Sequence, residues 1–380
     1  MQDRDGKIFG LAVILVILIV SGAAFFFYQR YQSPLQIGFS AGLSGLRSEL
    51  GVSGRNGAQL AVEEINRQGG IGGRKLELAV ADDKNEPIVA READRHLAEM
   101  GVRVIVGHMV SGVAASTVAY ANEQELLLIS PTIATEELTG IDDCFIRTIA
   151  SNTFQGRSLA LAALQETGVR TIAVVYDENN ESFARPIIKA FKDKTAQNGR
   201  QVLHAVPFQG QGDFREIIES LRRDRADGVL LIASALDAGL FCQQCRKQDF
   251  KLQVFSPMWT MTNDFLQAAG DDAEGAFFVS QVDLANQTPE YRKFQKLYQE
   301  RFGEAVTFAS VMSYDATMIA AFGIKQAGNH AARQIKEAIL QQGVFHGLQG
   351  PVSLDAYGDT ECYYYIYQVR EGAFHKVQKL

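Results

Sequence analysis

The sequence predicts an α/β protein whose two lobes each contain a doubly wound parallel sheet. From residue 35 onward, short apolar runs alternate with amphipathic segments of helical length, which is typical of a parallel sheet covered by helices. This series of strands and helices occurs twice along the chain. The chain has 380 residues, and a single hydrophobic core rarely supports a chain of this length. The length therefore independently favours two domains.

Each series can be followed strand by strand. The strands of the first series read LQIGF, KLELAVAD, VRVIVG and LLLIS, and those of the second read TIAVVYD, QVLHAVPF, GVLLIA and QVFSP. Apolar residues recur at helical spacing in the segments between these strands. They predict six helices, over residues 56–66, 87–100, 112–123, 183–197, 214–225 and 238–248.

Other segments are predicted to connect the lobes. CFIRTIA at 144–150 joins the two series, and FFVSQV at 277–282 leads out of the second. The chain ends in a predicted hairpin of CYYYIYQV and AFHKVQ, which turns at Glu371–Gly372. Between them lie three further helical segments, at 290–302, 308–326 and 332–342.

The connections predict the domain boundaries. If the later helices return to the first lobe, that lobe comprises residues 35–148 and 281–354. If the final hairpin returns to the second lobe, that lobe comprises residues 149–280 and 355–380. Three crossings between the lobes would then form a hinge. Residues 1–34 would form a short cytoplasmic stub and a membrane anchor.

The anchor is predicted from residues 8–28, a run of 21 residues without a charge. A helix needs about 20 apolar residues to cross a membrane, whereas the apolar part of a cleaved signal peptide has about 7 to 15. Arg4 and Lys7 precede the run and indicate that the N-terminus is cytoplasmic. Small residues at 21–24 leave cleavage open, which would release a soluble secreted form.

Composition and motifs argue against several functions. A net charge of −7 without a long basic run disfavours a nucleic-acid partner. The sequence contains no H-E-x-x-H and no phosphate-loop motif, so neither an enzyme nor a cofactor is expected. Cys242 and Cys245 fall within a helical pattern and are interpreted as helix-packing residues, and His108 as a packed or capping residue.

Two loops at the predicted carboxyl ends of strands suggest a ligand site. In IVGHMVSGVAAS, Ser111 and Gly112 lie where a turn opens a helix whose free N–H groups can hold an anion. In LLLISPTIATEEL, Ser130 ends the strand and Thr132 follows it. Open α/β sheets bind ligands at this edge, although small hydroxyl residues also cap helices throughout proteins.

In their order and surroundings, these loops resemble the branched-chain amino-acid-binding family of periplasmic solute receptors. The resemblance covers about residues 35–328. The matching segments are GRNGAQLAVEEINRQGGIGGRKLEL, ADDKNEP, VIVGHMVSGVAAS, LLLISPTIATEELTG, IRTIASNTFQG, AVVYDENN, ALDAGLFCQQCRKQ and YDATMIAA.

The resemblance implies the type I periplasmic-binding-protein fold, in which two Rossmann-like lobes are joined by three crossover strands and hold a ligand in the cleft between them. Receptors of this family deliver an amino acid or a related small organic acid to an ABC permease in the inner membrane. Together with the predicted anchor, this places the protein at the periplasmic face of that membrane.

The resemblance also implies a set of site residues. In the family, two loops of the first lobe hold the ligand carboxylate, another position supplies an apolar contact, and three loops of the second lobe close over the ligand. The ten candidate ligand-binding residues are Leu50, Ser111, Gly112, Ser130, Thr132, Ala134, Tyr176, Asn180, Asp237 and Trp259.

The sequence departs from the family's pattern at two of these loops. Ala134 stands where a hydroxyl residue usually helps to hold the ligand, and Met258 stands where an acidic residue is expected to meet the ligand ammonium. A buried cation without an anionic partner is costly. Either Asp237 or another acid takes this role, or the ligand is not an α-amino acid. Further polar groups of interest are Asp177 and Asp315.

A second interpretation keeps the fold and changes the role. A membrane-anchored protein of this kind can act as a ligand sensor that signals through a partner protein instead of supplying a permease. The anchor favours this alternative because a receptor that is cleaved free can diffuse between permeases. Gene neighbours encoding a permease or a kinase would distinguish the two roles.

Overall fold

The structure is a computed structural model that describes residues 33–45, 48–210, 212–328 and 331–380, together with residues 18 and 21. The predicted anchor at 8–28 lies, apart from those two residues, outside the described residues. Among the helices in the described ranges, none is both long and apolar enough to cross a membrane.

The first sheet is entirely parallel, as the alternation of strands and helices predicts, with the order β2-β1-β3-β4-β5. Strands β3 and β4 are buried along their whole length, because helices cover both faces of the sheet. The strands are β1 (Leu35–Ala41), β2 (Leu76–Asp82), β3 (Val104–Gly107), β4 (Leu127–Ser130) and β5 (Phe145–Arg147). The helices between them are α1 (Glu49–Arg67), α2 (Pro87–Glu99) and α3 (Ala114–Gln124).

Helix α1 begins well before the predicted residue 56. Its first turns read ELGVSGRNG, and the glycines there have low helix propensity, which hid the helix in the sequence. These glycines allow other backbone segments to pack closely against the helix: a Cβ atom on Gly51 would lie 2.1 Å from the carbonyl oxygen of Gly42. A Cβ atom on Gly57 would lie 2.0 Å from the carbonyl oxygen of Ser310.

The second sheet has seven strands in the order β14-β13-β10-β9-β8-β6-β7. Its neighbouring strands pair in parallel except β10 with β13 and β13 with β14, so that of these seven strands β13 alone runs opposite to the others. The strands are β6 (Thr171–Asp177), β7 (Gln201–Phe208), β8 (Gly228–Ile232), β9 (Gln253–Ser256), β10 (Phe277–Ser280), β13 (Tyr365–Arg370) and β14 (Ala373–Lys379). The helices here are α4 (Asn152–Gln165), α5 (Glu181–Ala196), α6 (Arg215–Arg223), α7 (Ala235–Lys247) and α8 (Asn263–Ala269).

Three later helices pack on the first sheet and its helices. They are α9 (Pro289–Phe302), α10 (Phe308–Ala327) and α11 (Ala332–Gln342). Helix α10 contacts α1, β3 and β4, and α11 contacts β4. A small hairpin that was not predicted, β11 (Val344–Gly347) and β12 (Gly350–Ser353), follows them. The predicted final hairpin is present, and positive φ angles at Glu371 and Gly372 form its tight turn.

The chain passes between the two sheets three times, after β5, after β10 and after β12, and these crossings are bonded to one another. Gln281 in the second crossing donates to the carbonyl oxygen of Thr148 in the first at 2.9 Å. The guanidinium of Arg147, at the end of β5 where the first crossing begins, lies 2.7 Å from the carboxylate of Asp359 in the third. The crossings therefore form one hydrogen-bonded unit between the sheets.

Candidate functional site

A narrow cavity lies between the two sheets, where loops from both meet. About 300 Å³ of space lies between its lining atoms, and the centre of a water molecule fits in only about 20 Å³ of it. A larger groove on the outer surface contains none of the ten predicted site residues. The described residues that line the narrow cavity are Leu50, Met109, Val110, Ser111, Thr132, Ile149, Gln155, Asn180, Phe183, Met258, Trp259 and Phe308.

Half of the predicted residues line this cavity. Leu50, Ser111 and Thr132 approach it from the first sheet, and Asn180 and Trp259 from the second. The other five do not line it, although most lie in the same loops. These five residues are Gly112, Ser130, Ala134, Tyr176 and Asp237.

Ser111 begins the short 3₁₀ turn Ser111–Val113 that leads directly into α3. Its hydroxyl oxygen accepts a hydrogen bond from the backbone N–H of Ala134 at 3.3 Å. Ala134 therefore contributes to the site through its main chain, which explains how a residue without a hydroxyl can occupy this position. Within the described residues the Ser111 hydroxyl hydrogen has no acceptor, so that it remains able to donate to a ligand.

Thr132 and Ser130 fix the two first-lobe loops to each other. The Thr132 hydroxyl donates to the carbonyl oxygen of Met109 at 2.6 Å, so its hydrogen is already engaged. The Ser130 hydroxyl donates to the carbonyl oxygen of His108 at 2.8 Å, and its oxygen accepts the backbone N–H of Thr132 at 3.3 Å. Ser130 is fully buried, so it supports the loop from behind the cavity.

Behind these loops lies a buried ionic triad. His108 contacts the carboxylate of Asp83 at 2.6 Å and that of Asp94 at 3.0 Å, and all three side chains are fully buried. Burial by itself lowers the pKa of His108, but the charges of Asp94 and Asp83 and the hydrogen bonds to them raise it to about 10. His108 is thus packed, as predicted, and it is held as a cation.

Asn180 connects the two sides of the cleft. Its side-chain oxygen accepts the backbone N–H of Gly112 at 3.0 Å. A Cβ atom on Gly112 would lie 2.9 Å from the carbonyl oxygen of Asn179, so only glycine fits here without displacement. The cleft is therefore closed at this point, and Gly112 contributes to closure although it does not line the cavity.

The opposite wall is apolar. The rings of Trp259 and Phe183 meet edge to face, with centroids 5.7 Å apart. Gln155 on α4 accepts the backbone N–H of Met258 at 3.2 Å and donates to the side-chain oxygen of Asn152 at 3.1 Å. These bonds hold the 3₁₀ turn that carries Met258 and Trp259 against the cavity.

Tyr176 and Asp237 are not among the residues that line the cavity. Burial and the nearby carboxylates of Glu181 and Glu178 raise the pKa of Tyr176. Asp237 lies in the first turn of α7, where its carboxylate accepts the hydroxyl of Ser234 at 2.8 Å and its N–H donates to that hydroxyl oxygen. The Asp237 carboxylate is therefore bonded at the start of α7 and is not among the groups that line the cavity.

The two other acids of interest also serve local structure. Asp177 accepts the backbone N–H of Asn179 at 3.0 Å and caps a short turn. Asp315 on α10 accepts the backbone N–H of Leu348 at 2.9 Å, and burial raises its pKa to about 7 against the lowering effect of that bond. Neither residue lines the cavity.

The two cysteines of the C-x-x-C pair are buried on α7 within the hydrophobic core of the second sheet. Burial raises the pKa of Cys245 to about 12, so that its thiol stays protonated. Across the described residues, no group of three or more His, Cys, Asp or Glu side chains is arranged to hold a metal ion.

Two α/β lobes, three bonded crossings and a cavity lined from both sides are the features of a two-lobed solute-binding protein. The chain belongs to the periplasmic binding protein family, whose sequence profile matches residues 34–373. The family consists of receptors that bind solutes and carry out no reaction on them.

Curated relatives match most of the chain. It is 26% identical over 341 residues to the Leu/Ile/Val-binding protein homolog 1 of Brucella melitensis, covering 89% of this chain and 91% of that protein. It is 24% identical over 346 residues to a leucine-, isoleucine-, valine-, threonine- and alanine-binding protein of Pseudomonas aeruginosa, with 89% and 90% covered.

Solved structures share the fold. A branched-chain amino acid transporter substrate-binding protein from Streptococcus pneumoniae, in complex with isoleucine, superposes with a TM-score of 0.84 at 24% identity, covering 92% of this chain and 99% of that one. A solute-binding protein of an ABC transporter from R. palustris, in complex with benzoate, superposes with a TM-score of 0.82 at 20% identity, covering 91% and 96%.

Proposed function

We propose that the protein is the extracytoplasmic receptor of an ABC-type importer, which binds an amino acid or a related small carboxylate between its lobes and delivers it to a permease. The observation that supports this proposal most strongly is the narrow cavity. It is lined by strand-end loops of both sheets and bridged by the hydrogen bond between Asn180 and Gly112. The names of the relatives, which bind branched-chain amino acids or benzoate, agree with this function.

The lobes of this proposal are residues 35–148 with 281–354, and residues 149–280 with 355–380. Opening would separate Gly112 from Asn180 and widen the cavity, while the three crossings act as the hinge. Hinged closure around a ligand is the established motion of this class of protein. A screen of amino acids and small organic acids by thermal shift tests the proposal, since a ligand at 100 times its dissociation constant stabilises the folded protein by about 2.7 kcal/mol.

Ser111→Ala is expected to weaken binding of the identified ligand about tenfold, because a hydrogen bond to a charged group contributes about 1.5 kcal/mol or more. Isothermal calorimetry measures the change. Ser116→Ala is the matched control, because the Ser116 hydroxyl donates to the carbonyl oxygen of Pro87, outside the cavity. Equal affinities for both variants and the wild type would remove Ser111 from the site.

We also propose that residues 8–28 anchor the protein at the periplasmic face of the inner membrane. The support is the run of 21 residues without a charge, which is long enough to cross a membrane. Native protein is expected in the membrane fraction with its N-terminus retained. N-terminal sequencing that finds a start at residue 24 or later, in soluble periplasmic protein, would contradict the anchor.

A further inference from the structure

We infer that the ligand is a small monocarboxylate with an apolar or aromatic body and without a cationic amine. This inference rests on the proposed function and specifies the class of solute for the same cavity. It follows from three properties of the cavity: the absence of charge on its described lining residues, the hydrogen-bonding capacity of its polar side chains, and the character of its walls.

None of the twelve described lining residues carries a charge. Eight of them are apolar, and the four polar ones are Ser111, Thr132, Gln155 and Asn180. An ammonium group that is taken out of water without an anionic partner is strongly destabilised, by several kcal/mol even after relaxation. Met258 lies in the wall, and the turn Met258–Thr260 that carries it contains no acidic residue, so that no carboxylate from this turn meets the ligand.

Nearby acids cannot replace the missing carboxylate in this arrangement. Asp237 lies in α7 and accepts the Ser234 hydroxyl at 2.8 Å. Glu136, which lines the larger groove on the outer surface, accepts the backbone N–H of Thr153 at 2.9 Å. Neither carboxylate is among the groups that line the cavity. A ligand ammonium would therefore lie among neutral side chains.

The polar side chains favour an anion instead. Backbone N–H groups already occupy three of their acceptor atoms: Asn180 accepts from Gly112, Gln155 from Met258, and Ser111 from Ala134. Each backbone N–H group orients the side-chain amide of Asn180 or Gln155 with its oxygen toward that N–H group, so the NH₂ group of the amide points away from it. Within the described residues, the Asn180 NH₂ group and the Ser111 hydroxyl hydrogen have no acceptor. One donor from each lobe is therefore available to bind a carboxylate.

The remaining surface suits an apolar body. Trp259 and Phe183 form an edge-to-face pair in one wall, and Phe308 lies at the start of α10 on the other side. Aromatic walls of this kind bury a large apolar area and prefer flat or compact hydrocarbon groups. The closed cavity is narrow, so a compact solute fits between the lobes with less opening than an extended one.

The test compares acids with and without the amine on the same hydrocarbon body. Calorimetry with the full chain uses 3-phenylpropanoate against phenylalanine, 4-methylpentanoate against leucine, and benzoate. The amine-free acid of at least one pair is expected to bind roughly a hundredfold tighter than its amino acid, as an unpaired buried ammonium implies. Tighter binding of leucine or phenylalanine would overturn the inference and leave the proposed function standing. Binding of none of the five would count against the proposed function itself.

A variant provides a second, independent measurement. Met258→Glu introduces a carboxylate into the wall, so it is expected to reverse the preference, with weaker binding of the amine-free acid and tighter binding of the matching amino acid. Met258→Gln has similar length and no charge, and it is expected to keep the preference for the amine-free acid even if both ligands bind more weakly. A Met258→Glu protein that folds, by circular dichroism, and still prefers the amine-free acid to the same degree would overturn the inference.

Discussion

Asp94→Asn is expected to lower the free energy of unfolding by about 1.5–3 kcal/mol near pH 6, because it removes one of the two charged hydrogen-bond partners of the buried His108 cation while Asp83 remains. The Asp94 carboxylate lies 3.0 Å from the His108 ring, and both side chains are fully buried. Urea unfolding followed by circular dichroism measures the loss. The control is Asp193→Asn in the exposed pair with Lys189, where about 0–1 kcal/mol is expected.

The same triad predicts a pH dependence with a definite sign. The pKa of His108 in the folded protein, about 10, lies above its ordinary value of 6.5. The charged imidazole therefore stabilises the folded state fully below about pH 6.5, and this contribution is lost as the pH rises through about 10. The difference in stability between wild type and Asp94→Asn should shrink over that interval. An equal difference near pH 6 and near pH 10 would show that His108 is not held as a cation.

The sequence predicted the packing of His108 but not its charge. Its partners Asp83 and Asp94 are 25 and 14 residues away along the chain. They meet His108 only because the loop after β2, helix α2 and the end of β3 converge at one edge of the first sheet. Periodicity assigns residues to elements, but it does not show which polar side chains from different elements share one buried space.

The architecture was predictable because its signals are local. Strands of a parallel sheet are short apolar runs, and the helices between them carry apolar residues at helical spacing. The apolar pattern did not reveal an element where close packing or exposure to solvent determined its residues. Helix α1 begins with glycines because the backbones of Gly42 and Ser310 approach it closely. Strands β11 and β12 are short and largely exposed, so they lack an apolar pattern.

The sequence predicted which loops form the site more accurately than which residues of those loops line the cavity. Thr132 lines the cavity, whereas Ser130 and Ala134, two residues to either side, do not. Which side of a loop faces the cleft depends on contacts with other loops, such as the bond from Thr132 to Met109. The lining residues Met109, Ile149 and Phe308 look like core residues in the sequence, because an apolar wall and a core require the same side chains.

Trp259→Ala is expected to weaken ligand binding roughly thirtyfold or more, because truncating a large aromatic at the centre of a buried site typically costs about 2 kcal/mol or more. Trp259 lines the cavity, is 9% exposed, and packs edge to face on Phe183. Calorimetry with the confirmed ligand measures the loss. Trp259→Phe keeps an aromatic ring in the wall and is expected to retain most of the affinity.

Trp259 should also report closure directly, since it is the single tryptophan of the chain. In the closed arrangement described here its ring is nearly buried, and opening at Gly112 and Asn180 would expose it to water. Titration with the confirmed ligand is therefore expected to shift the emission to shorter wavelength in step with saturation. If saturating ligand leaves the emission unchanged and Trp259→Ala binds normally, Trp259 is a packing residue, and the second lobe must contact the ligand through other side chains.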